Sequence, residues 1–488
     1  MNDALRAMTR FGLGASGPDR AAMGSDPRGW IEAQVGRPAT NGAPLLPAYE
    51  AMRVAEEGAR MARETRRAAQ DAEAMSAETM ASPAMMAEGA TADAGTMANG
   101  AAMRERGGTR AARPANPLRD AAQLGRERAL GAATLTADPF AERWTAHWAN
   151  HLTVRGRGAV GLLLVAPYRA EAIEPHAWGR FADLLAASTL HPAMLNDLDN
   201  RFSVGPDSHA GKRGRGGTNE NLARELMELH TLGADGGYTQ ADVSALALTL
   251  TGWRLPPVHD RDGERWERGG RVQFVARAHE PGPRTLLGRR FAEDDGTGSQ
   301  TRAVLDHLAA HPSTARNVGR RLAAHFHSPG PGRAGLAGEL AATFRETGGD
   351  LAALAMALIS GVAAWRDRPV ITTPQEQVTA WLRMLPGVAE PQWGVRAAQL
   401  LGQTVHSTPT PEGWAEAEEW GSPGGLKARL DLANELGLRG GNTHDPIALA
   451  RDALGVALSD ETMTALRRAA SPAQGLAILA MSPEVLLR

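Results

Sequence analysis

At 488 residues the chain has room for two or three ordinary domains, or for one large helical body carrying an insertion. Lys+Arg 53 against Asp+Glu 55 leaves a formal charge of -2, and no basic block interleaved with aromatics follows a phosphate backbone, so nucleic acid is not an expected partner. Cys 0 excludes disulfides, thiolate metal sites and cysteine nucleophiles, and leaves His, carboxylate or Met to hold any metal.

The stretch from Asn2 to about Gly36 reads as two short helices around the turn Gly12-Leu13-Gly14, with Trp30-Ile31-Glu32 opening an amphipathic stretch after Asp26-Pro27. Tyr49 to about Ala74 is rich in Ala, Arg and Glu with few large apolar residues, which predicts an exposed helix. From Met75 to Met103 the composition turns to Ala, Met, Gly and Thr without aromatics. That low-complexity segment is expected to be a disordered or loosely helical insertion, its clustered thioethers being also of a kind that suits Cu(I). From Leu118 onward the pattern is helical with short Gly/Pro breaks, except over 254–290, where Val272-Gln273-Phe274-Val275 suggests a β-hairpin in a long loop. The expected fold is therefore mainly α: a large multi-helix body with one irregular excursion. Residues 1–48 form an N-terminal helical segment, 49–117 the charged helix and insertion, and 118–488 the main body, with a motif-rich centre at 142–253 and C-terminal helices over 300–488. With no run of about 18 apolar residues and no leader after Met1, neither a membrane span nor a secretory signal of its own is expected, and the default compartment is the cytoplasm.

Chemistry-bearing residues concentrate in the centre. On a helix over Asn219 to His230, capped by Thr218 or Asn219, the residues Glu220, Asn221, Arg224, Glu225 and Glu228 share one face, while His230 lies among Leu222, Leu226 and Leu229 on the other. Such a polar stripe is either a solvated row of i,i+4 ion pairs or the wall of an acidic pocket. A metal shared by Glu225 or Glu228 with His230 requires the helix to end before His230, and Gly233 is placed to stop it. His151 lies four residues after His147, a spacing at which two imidazoles can share a metal, although no Glu follows His147 as in the zinc-protease signature. Asp235 to Asp242 reads as a Gly turn leading into a capping box, with Thr239 as N-cap, in preference to a calcium loop. Asp199 and Asn200 make a short polar cluster before a Gly-rich loop. No phosphate-binding loop, dinucleotide fingerprint or nucleophile elbow occurs.

Several segments carry a resemblance in the same order along the chain. They are Arg10-Phe11-Gly12-Leu13-Gly14, Glu142-Arg143-Trp144 with Trp148 to Val154, Pro192 to Asn200, Asn219 to Asp242, Leu250-Thr251-Gly252-Trp253, His311-Pro312-Ser313, Gly413-Trp414 and Ser482-Pro483-Glu484. Together they resemble the bacterial domain of unknown function 1800 family over nearly the whole length. Three positions depart from the pattern: His147 stands where an aromatic is expected, Ala149 where a histidine is, and His279-Glu280 in place of His-Asp.

The best functional expectation is a metal-assisted enzyme with a central acidic and histidine cleft, acting with a partner protein. Its catalytic candidates are Asp199, Glu220, Arg224, Glu225 and Glu228, its metal candidates His151, Asp199, Glu225, His230 and His279, and its further binding candidates Asn150, Asn200, Asn219 and Asn221. The cofactor would be a divalent metal. An alternative is haem, since Trp144 to Thr153 and Leu229-His230-Thr231-Leu232 loosely resemble the distal and proximal segments of animal-type peroxidases. A third expectation is not enzymatic: the resemblance implies a partner from the domain of unknown function 1501 family, for which this chain would be a scaffold or a folded passenger carried to the periplasm.

Overall fold

The computed structural model describes residues 2–39, 47–80, 117–214, 216–255 and 272–488. The fold is mainly α-helical, with two short two-stranded antiparallel ladders among the described residues. No helix among these residues is long and apolar enough to cross a membrane.

Helix starts recur in one form. Proline occupies the first turn of the helices Pro139–His151, Pro312–Phe326, Pro374–Met384, Pro423–Gly440 and Pro472–Ala480, where its missing N–H costs nothing and its fixed φ suits the helix. Thr373 and Thr239 each complete a capping box, with Glu376 and Asp242 respectively, so the Asp235 to Asp242 segment is the turn-and-cap anticipated from sequence.

The N-terminal segment differs in detail from expectation. It holds α1 (Asp3–Arg6), which widens into a π turn over Ala7–Phe11, then Gly17–Met23 and Pro27–Glu32. Trp30-Ile31-Glu32 closes that last helix, because Asp26 caps it one residue before Pro27. Gly14 adopts φ +108°, and a Cβ there would lie 2.4 Å from the Cβ of Ala380, so both conformation and space demand glycine. Helix α2 (Ala48–Met80) buries Ala48, Ala51, Met52 and Ala55 and continues six residues beyond Ala74, so Met75 to Met80 are helical. The rest of the Met-rich segment expected to be disordered or loosely helical, including Met85, Met86, Met97 and Met103, lies outside the described residues.

Around these the main body is built from α3 (Pro117–Leu135), α4 (Pro139–His151), α5 (Gly158–Tyr168), α6 (Asn221–Glu225), α7 (Pro312–Phe326), α8 (Pro374–Met384), α9 (Pro423–Gly440) and α10 (Pro472–Ala480), among others. Helix α4 is the centre: Phe140, Trp144 and Trp148 are wholly buried. Trp144 stacks on Trp178 at 5.6 Å, and Phe11 meets Phe140 at 6.2 Å and Phe326 at 6.0 Å, so α4 joins the N-terminal segment to α7 through aromatic area. Buried arginines fasten distant segments. Arg383 is bidentate to Asp19 at 2.7 and 2.8 Å and also donates to the carbonyls of Ala133, Thr134 and Thr136. Arg10 pairs with Asp367 at 2.7 Å and donates to the carbonyls of Arg368 and Arg488.

The excursion carries the expected strand within Val272 to Val275, paired with a strand at the start of the loop. β1 (Trp253–Arg254) pairs with β2 (Gln273–Phe274) across the excursion, whose residues 256–271 lie outside the description. The tight hairpin is β3 (Arg284–Leu286) with β4 (Arg289–Phe291). Its turn residues Leu287 and Gly288 take φ +50° and +74°, the left-handed pair a two-residue hairpin needs, without the Asn-Gly that usually announces it.

Candidate functional site

A cavity of about 220 Å³ opens beside α4, walled by residues from far-separated parts of the chain. Helix α4 contributes Glu142, Arg143 and Asn150; Tyr168 and Arg169 follow from the end of α5; α7 supplies His325, and the start of α8 Glu376. The segment 403–416 adds His406, Trp414 and Glu416, and Arg488 closes the wall.

Charge is organised as two ion-pair groups. Arg169 pairs with Glu142 and, at 3.0 Å, with Glu174. Arg143 pairs with Glu376, whose other oxygen lies 3.2 Å from Nε of Arg488 and accepts the Thr373 N–H at 2.8 Å. Despite the desolvation that opposes it, the two guanidiniums and the cap hydrogen bonds hold the Glu376 carboxyl below the usual range. Arg143 also donates to the Gly12 carbonyl at 2.9 Å, and Arg488 to the His325 carbonyl at 2.7 Å. Asn150 clasps the backbone of Trp414, accepting its N–H at 2.7 Å and donating to its carbonyl at 3.3 Å, and so fixes the segment that carries Glu416.

Behind the cavity lies a group of imidazoles. The His147 ring is 5.0 Å from that of His325 and 6.2 Å from that of His151, centre to centre, and His151 Nε2 is 3.1 Å from the carbonyl oxygen of His230. Burial, aided by Arg321, pushes His147 and His230 down to about 3 and His151 well below its ordinary value. His325 falls well below the ordinary value through burial and then Arg143, and His406 to about 3 through burial and then Arg169. Nε2 of His325 and of His406 is shut from solvent and has no hydrogen-bond partner among the described residues. His406 sits at φ +57°, a conformation uncommon for a side chain of its size. Burial raises the Glu416 carboxyl.

The family described as Protein of unknown function (DUF1800) matches residues 6–487. The chain belongs to this family. No curated protein and no solved structure matches it. In this DUF1800 chain the family-like segments at Glu142-Arg143, Asn150 and Trp414 line the cavity, whereas Asn219 to Asp242 does not.

Of the residues singled out from sequence, Asn150 is the one on the cavity wall. Glu220 and Arg224 pair at 3.3 Å with side chains 37% and 45% exposed, and Glu220 also accepts from Ser244 and Gln240. Asn219 accepts the Asn221 N–H at 2.8 Å as a local cap, and Asn221 itself is exposed. Glu225 and Glu228 are half-buried; desolvation raises Glu225, opposed by Arg155. The helix does not end before His230: α6 passes into a π turn over Leu226–His230, which keeps His230 inside, and Gly233 at φ +86° follows. Asp199 is exposed at φ +57°, Asn200 is buried and donates to the Leu250 carbonyl at 3.0 Å, and His279 Nδ1 is 2.9 Å from the Thr251 carbonyl oxygen. Among the described residues no group of three His, Asp or Glu is placed to hold a metal ion. Sequence reasoning missed His325, His406, Glu416 and Arg488 as site residues, and nothing in their spacing marks them; Glu142-Arg143 and Gly413-Trp414 were visible only as landmarks of resemblance.

Proposed function

We propose that this chain is an enzyme that transfers protons on a small polar molecule held in the cavity beside α4. The observation that carries this reading is the pair of imidazoles, His325 and His406, which belong to the cavity wall and whose Nε2 atoms are buried without a hydrogen-bond partner among the described residues. Neutral imidazole is the form that accepts a proton, and a carboxyl raised by burial, as at Glu416, is suited to return one. The ion pairs of Arg143, Arg169 and Arg488 hold the wall rigid, which fixes a substrate against the imidazoles.

The metal-assisted version of an acidic cleft has no set of three donors among the described residues, and the cations Arg143 and Arg321 beside the histidines disfavour a bound metal cation. Haem is the less favoured reading, since neither His151 nor His230 lines the cavity.

The test is incubation of the purified protein with a small-molecule extract, followed by mass spectrometry. Wild type is expected to deplete at least one compound, with His325→Gln or His406→Asn slowing it by about a hundredfold or more. Depletion unchanged in both folded variants, or none by wild type, overturns the reading.

A further inference from the structure

We infer that the ligand of this cavity carries an oxyanion, a carboxylate, phosphate or sulfate group, seated against Arg143 and Arg488; the inference rests on the cavity being the site of action proposed above. Arg143 and Arg488, 3% and 2% exposed, both pair with the one carboxylate of Glu376. Nε of Arg143 is buried and has no hydrogen-bond partner among the described residues. The other end is different, because Arg169 is matched by two carboxylates, Glu142 and Glu174.

Glu416 feels Arg488 and Arg321 electrostatically, yet it forms no ion pair among the described residues. Arg321, half-buried, donates to the Glu412 carbonyl at 2.9 Å and likewise forms no ion pair among the described residues. Two buried guanidiniums sharing one ion-paired carboxylate are costly, and an entering oxyanion lowers that cost through charge-assisted hydrogen bonds. It also changes the imidazoles: burial first, and then Arg143 and its neighbouring cations, lower His325, and a negative charge at Arg143 and Arg488 makes it a stronger base when the substrate is present.

The experiment is calorimetric titration of the full chain with succinate, inorganic phosphate or sulfate, against sodium chloride at matched ionic strength and against neutral succinamide. At least one oxyanion is expected to bind, with Arg488→Lys about thirtyfold weaker. Because a change at Arg488 threatens folding, Glu416→Gln is the second variant; it removes a competing negative charge and is expected to bind the same anion severalfold tighter. Which of the three ions binds distinguishes an organic acid from a phosphate or sulfate ester. Succinamide binding as well as succinate, no oxyanion binding at all, or Glu416→Gln binding more weakly overturns the inference and leaves the proton-transfer reading intact. Conversely, oxyanion binding with compound depletion unaffected in His325→Gln and His406→Asn upholds the anion site and removes the proton-transfer reading.

Discussion

Mild acid is expected to unfold this protein through its buried imidazoles, and the extent follows from His147, His230 and His406. Each is held at about 3 in the fold, by burial first and by neighbouring arginines second, against about 6.5 in an unfolded chain. Because the folded value is the lower one, the unfolded state binds more protons below about pH 6.5. Stability is therefore whole above that point and falls as the pH drops toward 3. At about pH 5.5 an unfolded-state histidine is some ten to one protonated while the folded one is neutral, which costs about 1.4 kcal/mol per histidine, or about 4 kcal/mol for the three. His151 and His325 act in the same direction, and the raised carboxyls of Glu174, Glu225 and Glu416 oppose them at lower pH. Against a typical stability of about 5 to 15 kcal/mol the loss is large. Urea unfolding followed by tryptophan fluorescence at about pH 7.5, 6.5 and 5.5 measures it. His147→Phe keeps a ring between Trp148 and His325 and removes one titrating group, so its loss over the same range is expected to be about 1.4 kcal/mol smaller. Stability independent of pH in wild type, or an identical slope in His147→Phe, would refute the argument.

Other outcomes follow from particular contacts. His406→Asn, a residue that tolerates positive φ, is expected to unfold within about 1 kcal/mol of wild type in urea at neutral pH while losing compound depletion. Arg383→Met leaves Asp19 buried without its partner and is expected to cost about 3 to 5 kcal/mol by chemical denaturation. Gly14→Ala places a Cβ against Ala380 at a φ that disfavours it and is expected to lower stability by at least about 1 kcal/mol in the same assay. Glu220→Ala breaks only partly exposed contacts, so its stability is expected to change by under about 1 kcal/mol and its depletion rate not at all.

The helical architecture was legible because its punctuation is local. A proline in the first turn, a Ser, Thr or Asp cap and a following glycine each act within a few residues, and the Thr239 capping box stands where the sequence put it. A strand at Gln273–Phe274 stands where the alternation suggested, whereas the tight turn at Leu287 was not legible, because Leu287 carries no turn signature and its positive φ is imposed by the ladder and by Asp242, which accepts its N–H at 2.7 Å. The cavity was hidden for a different reason. A helical wheel separates the polar face of Glu220, Arg224 and Glu228 from the apolar face of Leu222 and Leu226, but it does not say whether the polar face meets solvent or a hollow. Here Glu220 and Arg224 meet solvent, and the hollow is lined by charges that a local reading assigns to unrelated helices. Glu142 and Arg143 lie on a helix buried on nearly all sides, where ion pairs with Arg169 and Glu376 replace water. Those partners are distant in sequence, and periodicity carries no information about them.

The threading of Arg488 between Glu376 and the His325 carbonyl, with its backbone paired to Val370 and Arg10 reaching its carbonyl, has a temporal side. A nascent polypeptide emerging from the ribosome has α4 long before it has this arginine, so no growing intermediate presents a finished pocket. The pocket is finished only when Arg488 has been made and has folded back against Glu376 and Arg10, so any reaction it supports waits on that step.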